Sequence, residues 1–197
     1  MGTLETIARV MHGNFENATD AEKLAAVRDV TVACSVAAAA ITVQPVPLLD
    51  IALLAPVHVG MVQAIGQVHG HKLDAKSVVE MLATFGGTIV TRSILGSVVK
   101  VIPVFGWAAS ASMAYAMTYA IGEVSHCYFA SGRGLSSTQL RSMFRSVYDA
   151  KRTEKAAAAQ ANETLKEKLR QITDAYEAGL LTAEEYREKK EQVLKEL

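Results

Sequence analysis

The sequence is poor in the residues that define several classes of protein. Its 197 residues include two cysteines and four prolines, and 20 basic side chains balance 20 acidic ones. Two cysteines, Cys34 and Cys127, are too few for a disulfide-stabilised fold. A net charge of zero lacks the basic surface of a dedicated nucleic-acid binder, so we expect no nucleic-acid partner. The N-terminal residues lack the basic and then apolar layout of a secretion signal, so we expect a reducing, cytoplasm-facing environment.

Charged residues are almost absent from the middle of the chain. Residues 30–71 carry one formal charge, and residues 77–122 carry three. The neutral total is therefore an average over unlike parts, because the rest of the chain holds nearly all of the basic and acidic side chains. Two apolar blocks of this size have to be covered by lipid, by another subunit or by each other.

Both apolar blocks have the composition of α-helices. They are rich in Ala, Leu and Met, and they show no sustained alternation of the kind that marks a strand. Proline interrupts each block once, around Pro47 and at Pro103. The segment 43–68 recurs without a gap as the segment 99–124, and about a third of the paired positions are identical. We therefore predict an all-α fold with two duplicated helical hairpins, residues 19–73 and 74–132.

A stripe of small residues follows the second arm of each predicted hairpin. Residues four apart share one helical face, and small side chains there let another backbone approach closely. The stripe comprises Ala52, Pro56, Gly60 and Ala64 in the first arm and Ala108, Ser112, Ala116 and Ala120 in the second. Either the two arms, or copies from two chains, cross along it, or the stripe only reflects an alanine-rich composition.

Each proline turn has one charged neighbour. Asp50 follows Pro47, and Lys100 precedes Pro103. Because a single buried charge is costly, either the two tips meet with Asp50 and Lys100 paired, or each charge faces water. Apolar tips with charges gathered at the open ends favour insertion into a membrane or burial within an oligomer.

The predicted ends of the chain are more polar helices. Residues 1–18 contain a short amphipathic helix, with Leu4, Ile7, Ala8 and Met11 on the face expected to dock on a core, a partner or lipid. Residues 133–164 are predicted to form a basic and then alanine-rich helical linker. Helix starts are predicted at Thr19, Asp74, Ser136 and Thr182, where capping residues occur.

The end of the chain, residues 165–197, is predicted to form a helical hairpin. Gly179 can close its first helix in a left-handed conformation. So small a hairpin has too little core to be stable alone, so we expect it to pair with a second copy or to dock on the main domain. The side chains assigned to this assembly surface are Leu169, Ile172, Tyr176, Leu181 and Tyr186.

A basic segment follows the second apolar block. Positive residues beside a membrane segment favour the cytoplasmic side and attract anionic lipid. The predicted lipid contacts are Arg133, Arg141, Arg145, Lys151 and Arg152. The alternative is a solvated helix face on a cytoplasmic protein.

No catalytic or cofactor-binding motif occurs in the sequence. A P-loop would need a lysine and a hydroxyl residue after spaced glycines, and this pattern is absent. His58 lies about three helical turns from His69 and His71, too far for one metal site. His126 and Cys127 are adjacent and point apart on a helix. We therefore expect no catalytic residues, no metal and no cofactor.

Two resemblances add to these patterns. Residues 41–70, with 101–106 and 114–122, resemble the YcjF-type family of bacterial domains (domain of unknown function 697) over about residues 25–131. That resemblance implies membrane association and, in some members, a GTPase partner. Residues 172–190 resemble the short C-terminal domain called SHOCT, which implies oligomerisation or interaction.

The sequence as a whole predicts a non-enzymatic helical scaffold or adaptor that self-assembles on the cytoplasmic side of the bacterial inner membrane and works with a GTPase. The alternative is a soluble cytoplasmic homo-oligomer whose apolar helices are buried between subunits. The third hypothesis is a helical carrier of an apolar ligand.

Overall fold

The computed structural model describes residues 3–41, 49–86, 106–178 and 180–194, and this part of the chain is helical, without strands. Its helices are α1 (Thr3–Met11), α2 (Asp20–Ile41), α3 (Leu49–Val68), α4 (Ala75–Gly86), α5 (Gly106–Ala130), α6 (Ser137–Glu177) and α7 (Ala183–Leu194). The prediction of an all-α fold is confirmed for these residues. The chain divides into two compact units, Met1–Lys155 and Ala156–Leu197, and the long helix α6 contributes to both.

The predicted helix starts are made by reciprocal capping bonds. At the start of α2, the Thr19 amide donates to Glu22 Oε2 at 2.7 Å, and the Glu22 amide donates to Thr19 Oγ1 at 3.3 Å. Ser136 with Gln139 and Thr182 with Glu185 repeat this pattern. Asp74 Oδ1 accepts the Ser77 amide at 2.7 Å ahead of α4. These bonds satisfy amides that a helix leaves without a partner in its first turn.

Two helices end in a left-handed turn. Gly70 follows α3 with φ of +77°, and the His71 amide reaches back to the Gly66 carbonyl at 2.8 Å. Gly132 follows α5 with φ of +65°, a conformation that glycine adopts at little cost. The predicted closing residue Gly179 lies outside the described residues.

Helices α3 and α5 run in the same direction, side by side. His58 Nε2 lies 2.9 Å from Thr118 Oγ1, and further along both helices His69 Nε2 lies 3.0 Å from His126 Nδ1. The second arms of the two predicted hairpins therefore pack on each other.

Helix α2 runs antiparallel to α3, because Asp20 and Lys23 at its start lie within electrostatic range of His69 at the end of α3. Helix α1 lies antiparallel on α2. Thr3 Oγ1 donates to the Ala33 carbonyl at 3.3 Å, and Arg9 pairs with Asp29 at 2.9 Å.

The core of the first unit lies between α1, α2, α3, α4, α5 and the start of α6. Cys34 is fully buried there, whereas Cys127 is only half-buried. Leu140 and Phe144 also belong to this core, so the first part of the segment predicted as a linker packs on the apolar helices. The largest fully buried side chains include Val27, Val30, Met61, Ile65, Leu82, Ile121 and Phe144.

Equivalent positions of the predicted duplication have equivalent burial. Ala64 and Ile65 on α3 are fully buried, and so are Ala120 and Ile121 on α5. The two second arms therefore present matching residues to the core. The proline turns lie outside the described residues, so the duplicated hairpin arrangement stays a prediction.

The buried face of α1 differs from the predicted one. Thr6, Ile7 and Val10 pack against the core, whereas Leu4 is 77% exposed and Met11 is 38% exposed. Ala8, also on the predicted face, is exposed as well. Only Ile7 of that face docks on the core, because apolar side chains occur on both sides of this short helix and periodicity alone does not choose between them. Docking of the other three residues on a partner or on lipid stays a prediction.

The second unit consists of the end of α6, a turn and α7. The Tyr176 and Tyr186 rings stack at 4.7 Å between centroids, and the Leu180 amide donates to the Ala175 carbonyl at 2.9 Å. None of the described side chains of this unit is buried, and Leu169, Ile172 and Leu181 are partly exposed.

Candidate functional site

The helix directions give the first unit two chemically different ends. One end, called here the polar end, collects the start of α2, the end of α3 and the end of α5, with Lys23, His69, Lys72 and Arg133. The other, called the apolar end, collects residues 30–41 of α2, 54–58 of α3 and 111–118 of α5. None of the residues in these three segments carries a formal charge.

The apolar end exposes large hydrophobic side chains. Val36 of α2 is 55% exposed, and Met113 of α5 is 43% exposed. Leu4 is also exposed, and its sequence neighbour Thr3 donates to the Ala33 carbonyl of α2. Exposed hydrophobic groups rimmed by polar residues mark surfaces that meet lipid or protein.

Helix α2 is long and apolar enough to cross a membrane by length and composition, with 22 residues and a mean hydropathy of 1.7 in its most apolar window. Only 33% of that window is buried. The buried part includes Val30, Cys34 and Ala38, so this helix combines one face in the core with another that is accessible.

Polar side chains at the apolar end point inward. His58 is 4% exposed and shares a hydrogen bond with Thr118, which is 1% exposed. The Ser35 hydroxyl is buried and donates to the Thr31 carbonyl at 2.7 Å. Within the described part of the chain, His58 Nδ1 and Thr31 Oγ1 are buried without a partner. These polar side chains of the apolar end are thus buried, whereas Val36 and Met113 are exposed.

The polar end carries a cluster of histidines. His69 Nε2 lies 3.0 Å from His126 Nδ1. The His71 ring packs on the Phe129 ring, and the two ring centroids are 5.3 Å apart. Burial lowers the pKa of His69 to about 4, and the nearby His126, Lys23 and His71 contribute to this lowering. Sequence reasoning missed the contact of His69 with His126, because 57 residues separate them and only the packing of α3 on α5 joins them.

A cleft of about 450 Å³ opens beside this cluster. Its walls come from the α1–α2 loop and the end of α3, and they include Phe15, Lys23, His69 and Lys72. No group of three or more metal-binding side chains occurs in the part of the chain that the structure describes.

The predicted small-residue stripe lies only partly in the packed interior, because Pro56 is exposed. Ala64, Ala116 and Ala120 are fully buried, and Ser112 is 6% exposed. Gly60 faces α1, where an added Cβ would lie 3.5 Å from Ile7 Cγ2. The side chains of Ala52 and Ala108 are not among the described residues, and neither are the predicted tip side chains Pro47, Asp50, Lys100 and Pro103.

The predicted basic patch is spread along α6. Arg133 lies 5.8 Å from the Tyr128 ring centroid, and Arg141 Nε donates to the Thr84 carbonyl of α4 at 3.3 Å. Arg145 and Arg152 are exposed. Lys151 lies over the Tyr119 ring of α5 at 4.7 Å, a contact that the sequence did not predict.

The fold and this site define a helical protein with one end built from three uncharged helix segments and one polar end. The chain belongs to the DUF697 family (domain of unknown function), whose family model matches residues 11–172. The family resemblance is confirmed, and it extends beyond the predicted range at both ends. The match ends within the tail segment, so the SHOCT likeness of residues 172–190 stays a prediction.

Magnetosome membrane protein 22 of Magnetospirillum gryphiswaldense is 27% identical to this chain over 124 residues. The alignment covers 57% of this chain and 64% of that protein, which is less than two thirds of its length. No solved structure matches the chain.

Proposed function

We propose that this protein is a membrane-associated helical scaffold, with its apolar end in the cytoplasmic leaflet of a bacterial inner membrane and its polar end in water. The observation that carries the proposal is the apolar end, where three uncharged helix segments expose Val36 and Met113. The similarity to a magnetosome membrane protein supports membrane association.

A shallow insertion fits the described helices better than a full crossing. The charge-free part of α2, residues 30–41, is ~18 Å long at the usual helical rise. A hydrocarbon core is about 30 Å thick. Arg28 and Asp29 directly precede this part, and Asp29 is paired with Arg9 of α1 at 2.9 Å, so full burial of α2 would also carry these charges into lipid.

The scaffold has no reaction of its own in this proposal. The sequence lacks a P-loop, so any nucleotide chemistry belongs to a partner GTPase. The polar end, which faces water in this arrangement, is the surface available to such an adaptor contact.

Vesicle flotation tests the proposal with matched variants. We expect the wild-type protein to float with phosphatidylglycerol vesicles and to resist an alkaline carbonate wash. V36E/M113E should lose at least tenfold in binding, since a charge within the hydrocarbon costs several kcal/mol.

L24E/V79E is the control, because Leu24 and Val79 are similarly exposed, at 53% and 51%, but lie outside the apolar end. It should float like the wild type. A wild-type protein that stays wholly in the soluble fraction without detergent would refute membrane association.

A soluble homo-oligomer is the second candidate, and the second unit favours it. Its described side chains include no buried one, and Leu180 is 77% exposed. A unit as small as Ala156–Leu197, without a buried core among its described residues, gains stability from a partner. Light scattering of detergent-free protein would show a defined oligomer, whereas a well-behaved monomer would exclude this alternative.

A further inference from the structure

The cleft at the polar end has walls from three separate parts of the chain. The α1–α2 loop supplies residues 13–16, the first turn of α2 supplies Lys23, and the end of α3 with the loop after it supplies residues 67–70 and Lys72. Its volume of about 450 Å³ is within the range of sites that bind small molecules, about 300 to 1,000 Å³. We call this site the polar-end cleft.

Local contacts fix both walls of the polar-end cleft. Asn14 Oδ1 accepts the Glu16 amide at 3.0 Å, which closes a turn in the α1–α2 loop. The Phe15 ring packs on Gly13, where an added Cβ would lie 2.5 Å from Phe15 Cε2. On the opposite wall, Gly70 ends α3 in the left-handed conformation with φ of +77°. The cleft is therefore largely preformed, as small-molecule sites usually are.

The charged side chains that line the polar-end cleft are two lysines and one glutamate, Lys23, Lys72 and Glu16. Neither lysine makes an ion pair within the described part of the chain. Burial and the neighbouring cations lower the pKa of His69 to about 4, so its ring is neutral at pH 7. Asp20 acts on His69 but does not line the cleft. The lining therefore has an excess of one positive charge.

The uncharged lining suits an apolar body beside that positive charge. Phe15 packs on the core and also forms part of the cleft wall, next to the buried Val68. The side-chain amide of Gln67 has no hydrogen-bond partner among the described residues, so it is free to donate to a ligand. Ammonium and amide donors bind a carboxylate, and an aromatic side chain packs on a flat ring.

We propose that the polar-end cleft binds a small organic monoanion, a carboxylate attached to an aromatic ring, with Lys23 and Lys72 on the carboxylate and Phe15 against the ring. One negative charge matches the excess of one positive charge. A phosphate ester carries close to two charges at pH 7, so one of them would be unmatched beside Glu16. This binding goes beyond the scaffold function and does not depend on membrane association, because the cleft lies at the polar end.

The first test compares four probes on the full-length protein by titration calorimetry. Naphthoate has both the ring and the charge, naphthamide has the same ring without a charge, and acetate has the charge without the ring. We expect naphthoate to bind at least tenfold more tightly than naphthamide or acetate, because charge-assisted hydrogen bonds and ring packing act together only in naphthoate. Inorganic phosphate, the fourth probe, should bind no more tightly than acetate.

The second test uses variants of the lining residues. K23Q/K72Q should weaken naphthoate binding at least tenfold, whereas the charge-conserving K23R/K72R should keep most of it. Gln67→Glu adds a negative charge without changing the size of the side chain, so it should also weaken binding. R145Q/R152Q is the control, because it removes two positive charges at exposed positions of α6 outside the cleft, and it should bind like the wild type. Circular dichroism checks that each variant keeps its helices.

Histidine ring resonances locate the ligand without any substitution. Naphthoate should shift the resonances of His69, which lines the cleft, and leave those of His58, which is buried at the apolar end. Equal binding of naphthamide and naphthoate, full binding by K23Q/K72Q, or a shift at His58 alone would overturn the proposal. So would the absence of naphthoate binding by the wild-type protein at millimolar concentration. None of these results would affect the proposed membrane association.

Discussion

At the residue scale, Gly122 sets the distance between α5 and α2. A Cβ at this position would lie 2.5 Å from both Thr31 Cγ2 and Thr31 Oγ1 and 3.0 Å from its Cβ. Thr31 is fully buried and β-branched, so its side chain has little freedom to move away. The absence of a side chain at Gly122 lets α5 pack closely against α2.

We expect Gly122→Ala to destabilise the first unit by about 1–3 kcal/mol, the usual cost of overpacking a core. Gly60→Ala is the matched control, because its Cβ would meet Ile7 at 3.5 Å, an ordinary contact distance. It should be neutral or slightly stabilising, since alanine favours a helix over glycine. Urea unfolding measures both, and equal effects would show that the helices adjust around Gly122.

The sequence indicated such close contacts only in part. Of the small residues spaced four apart, Ala64, Ala116 and Ala120 are buried and Pro56 is exposed, so the stripe as a packing surface stays a prediction. The partner of Gly122 depends on how α5 crosses α2, and the residue spacing within one helix does not determine that crossing. The contact of Lys151 with Tyr119 was missed for the same reason, because it joins two helices.

At the element scale, local chemistry was sufficient for the helix starts. At each predicted helix start, a side-chain oxygen accepts a hydrogen bond from the backbone amide three residues later, and the four acceptors are Thr19, Asp74, Ser136 and Thr182. Each of these contacts joins a residue to the third one after it, so sequence spacing determines them. The docked face of α1 needed tertiary information, because Val10, outside the predicted face, is buried beside Ile7, whereas Leu4 and Met11 are exposed.

The contact of His69 with His126 ties the end of α3 to α5 and makes this junction sensitive to pH. The pKa of His69 is lowered to about 4 in the folded protein, against about 6.5 in an unfolded chain. Between these values the unfolded state binds a proton that the folded state does not. Stability therefore falls as the pH drops from about 6.5 towards 4 and levels off below that.

We expect the wild-type protein to lose stability between pH 7 and pH 5, because burial lowers the pKa of both His58 and His69 to about 4 in the folded protein. The share of His69 is ~1 kcal/mol after allowance for the exposed part of its ring, or ~2–4 °C in melting temperature. His69→Gln should remove this share and leave that of His58, whereas His71→Gln, which lacks the bond to His126, should keep most of the dependence. Thermal unfolding at both pH values measures the difference. An unchanged pH profile in His69→Gln would contradict the assignment.

At the scale of the whole molecule, charge is segregated twice: between the middle and the ends of the chain, and between the two ends of the first unit. The first segregation is visible in the sequence, where residues 30–71 and 77–122 hold four charges. The second needed the structure, because it depends on α2 running against α3 and α5. The sequence therefore predicted which residues are uncharged, but it did not predict that three helix segments bring them to one end of the first unit.

The two units should separate in function. We expect removal of residues 165–197 to reduce the size of any assembly, because these residues carry the partly exposed Leu169, Ile172 and Leu181. Membrane association should persist, since the apolar end belongs to the first unit. Light scattering and vesicle flotation of the truncated chain measure the two properties. A simultaneous loss of both would show that the units do not act separately.

The most direct test of the membrane account uses Trp107, the single tryptophan of the chain, which lies in the first turn of α5. Its fluorescence is measured with phosphatidylglycerol vesicles that carry brominated acyl chains, and separately with iodide in the water. If the apolar end enters the membrane, brominated lipid will quench Trp107, and vesicles will protect it from iodide. Unchanged quenching by iodide, with none by brominated lipid, would contradict the insertion of this end.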